Sequence, residues 1–148
     1  MGSIFVGICI FFSASFVGIW LKKRTLKRFS FYRSYYDFLS FASDKIAYER
    51  MVFSEIVRTF HSESREFSEV LSGGEPSFGL PDGEIAAVKE YLSGIGKTDA
   101  ETQIASLRGK SAEIKALLDR DGAKWKKDAS LYFKLAVLLG VALFIILV

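Results

Sequence analysis

Residues 98–148 read TDAETQIASLRGKSAEIKALLDRDGAKWKKDASLYFKLAVLLGVALFIILV, a stretch without proline that begins polar and ends wholly apolar. The preceding Gly94-Ile95-Gly96-Lys97 is a glycine-punctuated turn, and Thr98-Asp99-Ala100-Glu101 has the form of a capping box in which Thr98 and Glu101 satisfy orphan backbone donors. Asp99 suits the positive end of the helix that follows. Ala100, Ile104, Leu107, Ser111, Ile114, Leu118, Asp121 and Trp125 then fall alternately four and three apart, which puts them on one helical stripe. The pattern predicts one helix from Thr98 to Val148, a rod of roughly 75 Å at ~1.5 Å per residue. Its weakest point is Gly122, since an interior glycine costs about 1 kcal/mol relative to alanine. Whether the rod is rigid there or hinged is left open by the sequence.

Working toward the amino terminus, Gly2 to Leu21 is an uncharged, mostly Ile, Phe and Val run, long enough to cross a hydrocarbon core of ~30 Å. The basic cluster Lys22, Lys23, Arg24, Lys27 and Arg28 follows it instead of preceding it, the opposite of a cleavable signal peptide. By the positive-inside rule the chain enters the cytoplasm at Lys22. The carboxy-terminal apolar tail, Leu135 to Val148, reaches 18 residues when Leu131 to Lys134 are included, with Lys134 snorkelling to the headgroups. Basic residues again flank its start, so both termini are expected outside and the middle in the cytoplasm. Trp20, Lys22, Lys23, Arg24, Trp125, Lys126, Lys127 and Lys134 are the expected interface residues. Ser3, Gly7, Ala14 and Gly18 share a face of the first span, and Ala136 and Gly140 are four apart in the second, a pattern that permits close helix approach.

The expected organisation is a transmembrane helix at 1–21, a cytoplasmic helical domain at 22–130 with a loop at 73–83, and a second transmembrane helix at 131–148. All 37 charged residues lie between Lys22 and Lys134. Residues 29–123 carry a net −5 and the positive charge sits beside the apolar ends, which argues against nucleic-acid binding and for a lipid bilayer as partner. Within the domain, Phe29, Tyr32, Tyr36 and Leu39 continue the first helix. Ser43-Asp44 marks a bend or restart. Ile46 to Phe60 forms a second apolar-rich helical stretch, and Phe67, Val70 and Leu71 a third. Pro76 and Pro81 sit in the loop, and Asp82 caps a short helix ending at Gly94. No alternating strand pattern occurs. The fold class is therefore all-α: a small antiparallel bundle flanked by two transmembrane helices, with the last helix running on into the membrane. Its stripe packs as core, the alternative being a coiled-coil seam for a partner.

No catalytic, metal or cofactor constellation is legible. The segment GIGKT at residues 94–98 lacks phosphate-loop spacing. His61 stands alone, without Cys or carboxylates at ligand spacing, and reads as a helix-end surface residue. Glu63, Glu66 and Glu69 around Arg65 read as a solvated face. The many serines have no elbow motif and only one histidine to serve them. Cys9 reads as a small apolar residue of the first span. No enzyme, cofactor or small-molecule substrate is expected, and function is sought in anchoring and assembly.

Within GIGKTDAETQIASL, the residues Ile95-Gly96, Thr98-Asp99, Gln103 and Leu107, together with the polar helix and the apolar tail beyond, resemble the stage III sporulation protein AB family of endospore-forming bacteria. Lys45-Ile46-Ala47-Tyr48 is similar to that family's Glu-Ile-x-Tyr element, with lysine in place of the acid, and Glu49 and Val52 stand where the family has Gly and Pro. The resemblance implies a non-enzymatic subunit of the channel complex between mother cell and forespore, with a helical domain similar to the platform proteins of type II secretion and type IV pilus systems. It also implies partners: the stage III sporulation ATPase and other membrane proteins of the channel complex, with a homo-oligomer possible. The competing expectation is a membrane-tethered coiled-coil adaptor or regulator unrelated to sporulation.

Overall fold

The computed structural model describes residues 2–76 and 80–147, and among them it is all helical, with no strand. Helix α1 spans Gly2–Asp44 and closes in a π-helical turn, Lys45–Glu49. Then come α2 (Phe53–Thr59), α3 (Arg65–Leu71), α4 (Asp82–Gly94) and α5 (Ala100–Leu117). A second π-helical turn, Leu118–Gly122, leads into α6 (Ala123–Leu147). The chain divides into two compact units, Met1–Leu26 with Ala123–Val148, and Lys27–Gly122.

In the helical domain, Lys27–Gly122, the core is aromatic. The Phe67 ring of α3 lies 5.5 Å from Phe31, 5.7 Å from Tyr35, 5.8 Å from Phe38 and 6.3 Å from Phe60, centroid to centroid. Such edge and tilted pairs add about 0.5–1.5 kcal/mol each beyond area burial. The first helix continues as expected, and the face of α1 that packs here is Phe31, Tyr32, Tyr35, Phe38, Leu39 and Ala42, so that of the expected residues Tyr32 and Leu39 are buried while Phe29 and Tyr36 are half-buried. From the other side α5 contributes Leu107 and Ile114, both buried, and α4 contributes Val88 and Leu92. The middle of the stripe, Leu107 to Ile114, is core in this domain with Ser111 tolerated at its edge, 9% exposed, while Ala100 is exposed.

Several local expectations are corrected. The cap of α5 is Asp99, whose carboxylate accepts from the Thr102 N–H at 3.1 Å, so the helix starts one residue later than a Thr98 cap would set it. Asp82 is the first residue of α4 and not its cap: Pro81 precedes it in extended conformation, where a missing N–H costs nothing. The second helix does not run from Ile46 to Phe60. Arg50 takes a left-handed conformation (φ 51°) and ends the π turn by donating its N–H to Lys45 O, leaving only Phe53–Thr59 helical. The loop residues 77–79 lie outside the described residues.

Glu66 does not belong to a solvated face either. It is 8% exposed, and its carboxylate meets Lys27 Nζ at 2.8 Å and accepts from Ser64 Oγ at 3.3 Å. Burial pushes this carboxyl up, but Lys27, a backbone N–H and Ser64 together hold it below the usual glutamate range. Burial, above all, raises the Tyr32 and Tyr35 hydroxyls well beyond the ordinary tyrosine value, with the Glu84 carboxylate adding at Tyr32 and Tyr91 and Glu113 at Tyr35. His61 is exposed, its Nδ1 at 2.9 Å from Thr59 O.

Helical hydrogen bonding passes through Gly122 by way of the π-helical turn. Gly122 is buried, and a Cβ there would stand 2.8 Å from Phe29 Cε2. The glycine read as a weak point in the helix is thus a point of close approach.

The other unit pairs the two apolar segments as antiparallel helices. A Cβ on Gly18 would lie 2.7 Å from Ala136 Cβ, and one on Gly140 would lie 3.2 Å from Ala14 Cβ and 3.3 Å from Phe11 Cδ2. The small-residue faces of the two segments meet, while Ser3 is exposed. Lys22 Nζ lies over the Phe133 ring, 5.4 Å from its centroid. Each apolar segment contains a window of mean hydropathy 2.4 that is 11% buried in the first and 6% in the second. Core helices of soluble proteins bury most of such a window, so these two helices are long, apolar and uncovered enough to cross a membrane.

Candidate docking groove

The two sequence segments that carried the family resemblance become neighbours in the helical domain. Lys45–Glu49, turned by the π-helical geometry and the left-handed Arg50, forms one wall. The link from α4 to α5, turned at Gly96 (φ 91°), and the first turn of α5 form the other. Between them lies a groove of about 640 Å³, lined by Ile46, Ala47, Met51, Val52 and Phe53 on one side and by Gly96, Thr98, Glu101, Gln103 and Ile104 on the other. The Gly96 position faces Phe53, whose Cβ is 3.9 Å from where a side chain would begin.

Of the residues singled out from sequence, Gly96, Thr98 and Gln103 line the groove. Asp99 caps the helix that carries them, and Leu107 lies fully buried one turn behind. Gln103 is 8% exposed, and its Nε2 is buried without a hydrogen-bond partner. A buried amide donor left unsatisfied costs about 1–3 kcal/mol, a cost that an acceptor reaching it through the groove would remove. A smaller cavity of about 310 Å³ adjoins on the α4 side, where Tyr91 Oη and Ser106 Oγ are 3.1 Å apart and Gln103 and Leu107 again contribute.

Sequence reasoning missed the lip of the groove. Tyr48 and Val52 were read as part of one apolar-rich helical stretch from Ile46 to Phe60, yet they are 81% and 65% exposed. Within the helical domain no other large hydrophobic residue among the described ones is comparably open. The break at Arg50 that exposes them has no local signal, because arginine rarely adopts a left-handed conformation. Strained backbone, a π turn and exposed apolar side chains therefore coincide at one place, the combination expected of a surface kept for contact.

The expected interface residues fall in the paired apolar unit. Trp20 is 39% exposed with the Arg24 guanidinium 5.6 Å from its ring centroid, and Lys22, Lys23, Lys126, Lys127 and Lys134 are exposed. Trp125 is 8% exposed, more enclosed than an interfacial tryptophan needs to be. Cys9 is a free, exposed thiol. Among the described residues no three His, Cys, Asp or Glu side chains group as metal ligands. No family model, no curated protein and no solved structure matches this chain.

Proposed function

We propose that this chain is a non-enzymatic membrane subunit with two spans and both termini outside, which holds its helical domain in the cytoplasm as a platform for a cytoplasmic ATPase. In this reading it serves the sporulation channel between mother cell and forespore, as the resemblance to the stage III sporulation protein AB family implies. One observation carries the platform role. The two segments of that resemblance, far apart in sequence, face each other across one groove that the exposed Val52 lines, with the exposed Tyr48 in the adjoining π-helical turn. A partner segment seated there would cover the exposed apolar side chains and bring an acceptor to the buried Gln103 amide. Positive charge after the first span and before the second supports the orientation. Burial of Leu107 and Ile114 within the fold favours this reading over the coiled-coil adaptor, whose seam would use the same stripe.

The test places a photocrosslinking amino acid at Val52 or Tyr48 in sporulating cells. An adduct with the stage III ATPase that vanishes on Gln103→Leu supports the platform reading. No adduct from a stably expressed chain overturns it. Protease protection tests orientation independently: residues 29–123 should be cut only from the cytoplasmic side.

A further inference from the structure

The paired apolar unit carries its charge at one end only. Lys22, Lys23 and Arg24 on α1 and Lys124, Lys126, Lys127 and Lys134 on α6 are all exposed, against a single carboxylate, Asp128. The antiparallel pairing of Gly18 with Ala136 and Ala14 with Gly140 brings these two sets to the same end. The contrast with the next basic residues is informative. Lys27 and Arg28 are engaged by Glu66 and Glu84 within the helical domain. Lys22 and Arg24 meet only aromatic faces, and Lys23, Lys124 and Lys127 have no carboxylate partner among the described residues.

Successive helical residues point about 100° apart, so three consecutive cations on α1 and a Lys-x-Lys-Lys run on α6 spread their charge around both helices. A protein partner reads one face, whereas an annulus of lipid meets every side. We propose that this end of the hairpin is a collar for anionic phospholipid headgroups, its ammonium and guanidinium groups binding lipid phosphate diesters at the bilayer surface. The proposal rests on the reading that both helices span a membrane. Trp20 at the same level supplies the amphipathic ring found at headgroup depth. Each cation near an anionic surface strengthens attraction about fivefold.

The test uses the full chain reconstituted in liposomes of equimolar phosphatidylcholine and phosphatidylglycerol, gently extracted, with retained lipids counted by native mass spectrometry. The expected result is about tenfold or greater enrichment of phosphatidylglycerol, kept when Lys22, Lys23, Lys124 and Lys127 become arginine and reduced to about twofold in K22Q/K23Q/R24Q/K124Q/K127Q. Equal retention of the two lipids overturns the collar and leaves the spanning reading intact. Enrichment undiminished in the glutamine variant also overturns it. Displacement of the retained lipid by millimolar inorganic phosphate would reassign the site to free anions and overturn the lipid assignment. A wild-type chain extracted from the liposomes by alkaline carbonate would refute spanning and collar together.

Discussion

Gly109 and Gly122 are both helical glycines, and the fold gives them opposite roles. Nothing lies within 4 Å of a Cβ built at Gly109, whereas at Gly122 the Phe29 ring stands at 2.8 and 3.2 Å. Alanine for an interior helical glycine recovers about 1 kcal/mol, so G109A should stabilise the helical domain by about that amount. G122A gains no more than this and must displace the ring, an overpacking cost of about 1–3 kcal/mol. The net expectation is a loss of about 1 kcal/mol, leaving the two variants about 2 kcal/mol apart. Native-state hydrogen exchange on the detergent-solubilised chain, followed at amides of α5 and of the 31–42 segment of α1, reads the opening free energy of this domain. A 2 kcal/mol gap is roughly a thirtyfold difference in protection. Phe29→Leu identifies the cause: it should relieve most of the G122A penalty, with a coupling of about 1 kcal/mol in the double-mutant cycle. If G122A protects as well as G109A and shows no coupling to Phe29, the close approach is refuted.

Other consequences are as direct. Arg50→Gly removes a left-handed arginine that costs about 1 kcal/mol and should raise stability by about that amount, read by the same exchange assay. Gln103→Leu should be neutral or stabilising by up to about 1 kcal/mol, because the donor it removes has no partner, while abolishing the Val52 crosslink. Glu66 has a depressed folded value, so its contribution is complete above the ordinary glutamate value of 4.5 and is lost as pH falls through the lower folded value. Lys27→Met should cost about 1–3 kcal/mol at neutral pH and flatten that acid limb, measured by denaturation at pH 3 to 7. Gly18→Leu should part the two apolar helices, seen as loss of disulfide formation between cysteines placed at Ala14 and Gly140 in a Cys9→Ser background.

The helices at both ends, their charged flanks and the cap region before α5 were legible because each rests on local chemistry: apolar length, adjacent charge, and Asp or Thr before a periodic run. The groove was legible only as two unconnected motifs. Tyr48 and Val52 were read into one apolar-rich helical stretch, a pattern that does not say which of its side chains face outward. The break at Arg50 that turns them outward reflects what the surrounding fold imposes on residues 45–52. Glu66 was misread for the same reason, since its partner Lys27 is distant in sequence.

The sequence by itself determined an all-helical chain with two apolar segments, the side of each that bears positive charge, and the small-residue faces of the spans. Hydrophobic period, span length and charge are properties of a residue and its near neighbours. Only the tertiary structure decided that Gly18 meets Ala136, that Phe29 fills the space over Gly122, that Phe67 centres the core, and that residues 46–53 and 96–104 border one groove. Those facts depend on which distant side chains share a volume, and packing settles that for the whole chain at once.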